Sequence, residues 1–96
     1  NQRQHNFTTL KRALKMKNYN DTLKNGYEVI AVHYGARGGI VLASNSRQYA
    51  TWEFIDIDET FSGHYFSESQ DDVNDPFGEA MKDYIERIAK IERIKL

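Results

Sequence analysis

Four runs rich in β-branched and aromatic residues, "YEVIAVHY" (27–34), "GIVLAS" (39–44), "YATWEFID" (49–56) and "TFSGHYFS" (60–67), are joined by links of three or four residues, "GARG", "NSRQ" and "IDE". Parallel strands need crossovers of a dozen or more residues, so links this short predict an antiparallel meander of four strands. Within the third run Trp52 and Phe54 share one face while Thr51 and Glu53 share the other. That alternation predicts a sheet with one side packed and one side available to water or a ligand. In the first run Ile30, Val32 and Tyr34 alternate with Val29, Ala31 and His33. Both of its faces are therefore partly apolar, and the strand is expected to be central or covered by a helix.

Helical signals bracket the meander. Thr8 or Thr9 can cap a short basic helix carrying Leu10, Ala13 and Leu14, which the turn formers Asn18, Asn20, Asn25 and Gly26 end near Lys17. After the acidic, turn-rich connector "SESQDDVNDPF", Asp75 caps a second helix with Pro76 at its first position, where a missing N–H costs nothing. From 76 to about 94, Phe77, Ala80, Met81, Tyr84, Ile85, Ile88, Ile91 and Ile94 recur at helical spacing. Asp83 with Arg87, and Glu86 with Lys90, are i,i+4 pairs expected on the wet side. At about 1.5 Å per residue this helix is roughly 28 Å long, longer than the strands it lies on. Its tip, with Ile91, Ile94 and Leu96, is expected to pack on a second copy.

Ninety-six residues suit one domain, expected over 7–96 behind a frayed leader at 1–6. A chain this short buries only about 60–65% of its unfolded surface, which leaves a thin core and little room for a large internal cavity. Without cysteine, neither a disulfide framework nor a thiolate zinc site can form. No apolar run approaches the roughly 20 residues of a membrane span, and a soluble, cytoplasmic protein is expected. The net charge of −1 conceals a segregated layout. Residues 1–24 hold six basic groups against one acid, and residues 67–79 hold five acids and no base. Such patches steer a charged partner or simply face water.

The chemistry-bearing residues argue against catalysis. "HYGARGGIV" (33–41) has the glycines of a phosphate loop, but it leads into a strand rather than a helix, whose aligned N–H groups would hold the anion. A hairpin with glycines at positive φ explains it better, and Arg37 is then an exposed cation at the tip. His33 and His64 would approach only if their strands were neighbours, and no third ligand lies at metal spacing. "DIDE" (56–59) and "DD" (71–72) lack the glycine and closing glutamate of a calcium loop. The serines lie in no nucleophile elbow. Glu53 is the one acid placed among aromatics on a strand. No enzyme, cofactor or metal is expected.

Two functions remain. A helix–sheet–helix order with a basic first helix and arginine-tipped hairpins would suit nucleic acid, through Lys11, Arg12, Lys15, Arg37 and Arg47. Against it stand the slight acidity of the chain and the acids Asp75 and Glu79 at the start of the last helix. The other is a binding module for protein. "YEVIAVHYGARGGIVLASNSRQYATWEF", "GHYF" and "EAMKDYIER", spanning 27–87, resemble small proteins carried by phages, plasmids and integrative elements of Gram-positive bacteria. That resemblance implies an accessory protein that binds a host or element component, and it assigns no site residue.

The preferred expectation is an α+β domain: an N-terminal helix, a four-stranded antiparallel meander and a long C-terminal helix on one sheet face. Its core would be Ile30, Val32, Leu42, Trp52, Phe54, Phe77, Met81, Tyr84, Ile85 and Ile88. Its function would be a non-catalytic, protein-binding one, as a homodimer if Ile91, Ile94 and Leu96 pair.

Overall fold

A computed structural model describes residues 16–68 and 74–95. The strands β1 (Glu28–Gly35), β2 (Gly38–Ser44), β3 (Tyr49–Phe54) and β4 (Thr60–Phe66) form one antiparallel sheet in the order β1-β2-β3-β4. One helix, α1 (Pro76–Glu92), crosses it, packing mainly over β2 and β3. The α+β meander is therefore as its link lengths require. The expected N-terminal helix lies outside the described residues, apart from Met16 and Lys17, which are irregular.

Local chemistry sets the turns. Asn45 Oδ1 accepts from the N–H groups of Arg47 and Gln48 and closes the β2–β3 turn. Asp56 does the same in the β3–β4 turn, accepting from the Asp58 N–H, so β3 ends at Phe54 rather than 56. Asp75 caps α1 by accepting from the Gly78 N–H, and Pro76 opens it. Arg93, in the left-handed conformation at φ 58°, stops the helix, and the Ile94 N–H closes on the Ala89 carbonyl.

The sheet is covered on both faces, against the expectation of one open side. Toward α1 lie Ile40 and Leu42, packed on Ala80 and Tyr84 with Met81 and Ile88 at the margin. The opposite face holds Val29, Val41, Ala43, Ala50, Trp52 and Phe54. Leu23 and Ile57 close over that second cluster, with Tyr27 edge-on to Trp52 and Tyr34 edge-on to Phe54. Leu23 comes from the irregular stretch 16–27, which is bound to β1 by Asn20 N–H donating to the Val29 carbonyl and Val29 N–H donating to that of Asp21. The single core expected under the helix is thus two. Trp52 and Phe54 belong to the far one, while Phe77 and Ile85 are exposed.

Candidate functional site

Between the helix and the sheet, where apolar packing was expected, runs a polar strap. Thr51 is fully buried on β3, so its hydroxyl needs partners. It donates to Asp83 Oδ2 at 2.5 Å and accepts from Arg87 Nη1 at 2.9 Å. Arg87, with 11% of its side chain exposed, also donates to the carbonyls of Thr51 and Ser62 and pairs with Glu53 at 3.2 Å. Asp83 and Arg87 therefore face the sheet, and the expected pairing on the wet side does not form.

His33 and His64 sit at the two edges of the sheet, with β2 and β3 between their strands. His64 lies 2.9 Å from Asp83, and His33 lies 2.5 Å from Glu92. Each is thereby held by a carboxylate of α1. Glu53 and His64 line one hollow of about 280 Å³ together with Arg87, Lys90 and Ile91, and His33 lies outside it. Among the described residues no group of three or more His, Asp or Glu is placed to hold a metal ion.

Three exposed apolar side chains, Ile55, Phe61 and Ile91, come together elsewhere, at the end of the sheet where the β1–β2 hairpin meets the C-terminus of α1. Ala36 and Arg37 turn the chain, and the positive φ of that turn falls on Gly38, at 139°. The neighbouring glycines have another purpose. A Cβ on Gly39 would overlap the His33 carbonyl and the Phe54 ring, and one on Gly35 would stand 3.0 Å from Glu92. At Gly39 the bare backbone makes room for the paired strand and the Phe54 ring, and at Gly35 for the C-terminal end of α1. A cleft of about 360 Å³ results, walled by Ile55, Phe61 and Ile91 and rimmed by Arg37 and Arg93.

Phe61 reaches this cleft through a bulge. Thr51 pairs with His64 and Glu53 with Phe61, so both β4 residues share the helix-facing side although three positions separate them. Strict alternation would place them on opposite faces; the irregularity containing Ser62, at φ 53°, makes up the difference. Gly63 then falls under the Trp52–Tyr65 contact, where Trp52 Nε1–H donates to the Tyr65 hydroxyl at 3.3 Å.

Of the residues singled out in the sequence, Arg37 lines this cleft and Arg47 lines a separate hollow beside Tyr49 and Phe77. They stand at opposite ends of β2, a strand of about 23 Å at the usual rise per residue. Lys11, Arg12 and Lys15 lie outside the described residues. Ile91 and Ile94 are both exposed, and Leu96 is outside the described residues. Ile55, Phe61 and Arg93 were not anticipated. Ile55, 79% exposed, had one available signal: an apolar residue at the mouth of the polar turn "DIDE".

The fold defines an α+β domain with a helix on one face of an antiparallel meander and an irregular segment on the other. No family model, curated protein or solved structure matches the chain. No helix among the described residues is long and apolar enough to cross a membrane.

Proposed function

We propose that this chain is a small non-catalytic binding module that engages a protein partner, an accessory protein of a mobile element. The observation that carries the reading is the cleft between hairpin and helix. Ile55, Phe61 and Ile91 line it together, and each leaves more than a third of its surface exposed. Apolar groups gathered beside polar ones mark interaction surfaces more often than single exposed residues do. The strap of Thr51, Asp83, Arg87 and Glu53 supports the same reading. Its groups satisfy one another, which suits rigid attachment of the helix better than proton transfer.

Nucleic acid binding is the competing reading, and the separation of Arg37 from Arg47 speaks against it. The test compares wild type with a Phe61→Asp, Ile91→Asp double variant whose far-UV circular dichroism is unchanged. Cross-linking in cells of the source organism is expected to capture one stoichiometric protein through residues around the cleft, and the double variant to lose it. Capture that survives the double substitution refutes the reading. So does micromolar binding of mixed-sequence DNA or RNA that weakens steeply with salt in a gel shift.

A further inference from the structure

The charges around the cleft specify the partner further, on the basis of the binding reading above. Its two acids are engaged: Glu53 by Arg87 and Glu92 by His33. Its two arginines are not. Arg37 at the hairpin tip and Arg93 after the helix are exposed and form no ion pair among the described residues. Lys90, one turn back from the helix end, adds a third cation on the adjoining hollow. Against these stand Glu92 and the partial negative charge of the helix C-terminus, about half a unit. Two of that terminus's carbonyls are already satisfied, by the Arg93 and Ile94 N–H groups. With Glu53 offset by Arg87 and Lys90 counted from the adjoining hollow, cations outnumber acids around the apolar walls made by Ile55, Phe61 and Ile91.

We infer that the cleft binds an acidic peptide segment of a partner protein, one that places an apolar side chain against Phe61 and Ile91 and carboxylates against Arg37 and Arg93. Arg37 and Arg93 both line the cleft beside Phe61 and Ile91, and guanidinium groups pair with carboxylates in two-pronged fashion. Complementary charge of this kind sets orientation and partner choice. The chain's own residues 1–15 are the wrong occupant, because they carry Arg3, Lys11, Arg12 and Lys15 and no acid.

The experiment uses three short fluorescent peptides: a leucine flanked by aspartates and glutamates, the same peptide with lysines for the acids, and the acidic peptide with alanine for leucine. Anisotropy is expected to show binding of the first, weak binding of the third and none of the second. Added salt is expected to weaken the first. Arg37→Glu with Arg93→Glu, both at exposed positions, is expected to weaken it about tenfold while leaving the circular dichroism unchanged. Amide shifts induced by the peptide should fall on residues 35–39 and 91–93. Equal binding of the lysine peptide overturns the inference, as does binding indifferent to the arginine substitutions. A molar mass that rises with concentration and is reduced by Phe61→Asp also overturns it, because a second copy would then occupy the cleft. If no acidic peptide binds while cellular capture still depends on Phe61 and Ile91, the charge argument alone has failed. If capture does not depend on them, the binding reading itself has failed.

Discussion

Tyr84 shows how burial tunes a single group in a thin core. It lies on α1 against Ile40 and Leu42, and withdrawal from water raises its phenol above the ordinary 10.0. Burial does the same at Tyr34, offset in part by its hydrogen bond to Lys17. The unfolded chain ionises first, near pH 10, because there the phenols are in water. Stability is thus intact below that pH and falls as pH rises from the unfolded toward the folded value, the folded state then holding more protons. Tyr84→Phe removes one such group and breaks no hydrogen bond among the described residues. We expect a change within about 1 kcal/mol at pH 7 and a shallower alkaline loss, read from urea midpoints at pH 8 and pH 11. An alkaline limb as steep as in wild type would count against burial as the cause. At Tyr34 the analogous change would also release the Lys17 N–H, which donates to the phenol oxygen at 2.6 Å.

At the scale of elements, α1 is fixed by three polar attachments as well as by its apolar stripe: Asp83 to Thr51 and His64, Arg87 to β3 and β4, and Glu92 to His33. The stripe itself is divided. Ala80 and Tyr84 are buried, while Phe77 packs on the Tyr49 ring at the margin with much of its surface exposed. A stripe read at helical spacing gives the face of a helix but not the depth of each position, and a small residue such as Ala80 marks where the backbones come closest. Arg87→Ala would leave the Thr51 carbonyl, the Ser62 carbonyl and Glu53 without their shared donor. Because the guanidinium is nearly buried, we expect a loss of about 2–4 kcal/mol, with Arg87→Lys recovering little of it. Urea denaturation measures both variants. A loss below about 0.5 kcal/mol would show the strap to be incidental to the attachment of the helix.

For the whole molecule, the consequence of two covered faces is that the irregular stretch 16–27 belongs to the fold. Leu23 is 3% exposed beneath Val29 and its neighbours, in a segment whose composition of asparagine, glycine and lysine reads only as turns. Leu23→Ala is expected to cost about 2–3 kcal/mol, while Ile55→Ala, on the open cleft, costs less than about 0.5. Comparing the two thermal midpoints tests which of these apolar residues is core. If the Leu23 change were silent, the far cluster would be closed by Ile57 and the aromatic rings alone.

The meander, its turns and the capped C-terminal helix were legible in the chain because they depend on neighbours in sequence. Short links enforce antiparallel pairing, period two marks strands, and Asp75-Pro76 opens a helix wherever it stands. The faces were not legible. Whether Trp52 or Thr51 meets the helix is a choice between two sides of one strand, decided by which side leaves fewer polar groups unsatisfied once Asp83 and Arg87 approach. The cleft depended on tertiary structure as well: the bulge at Ser62 turned Phe61 to the helix side, and Gly35 admitted the helix end to the hairpin. Alternation along a strand is a local property, but the placement of a bulge and the meeting of distant ends are settled only when the layers close.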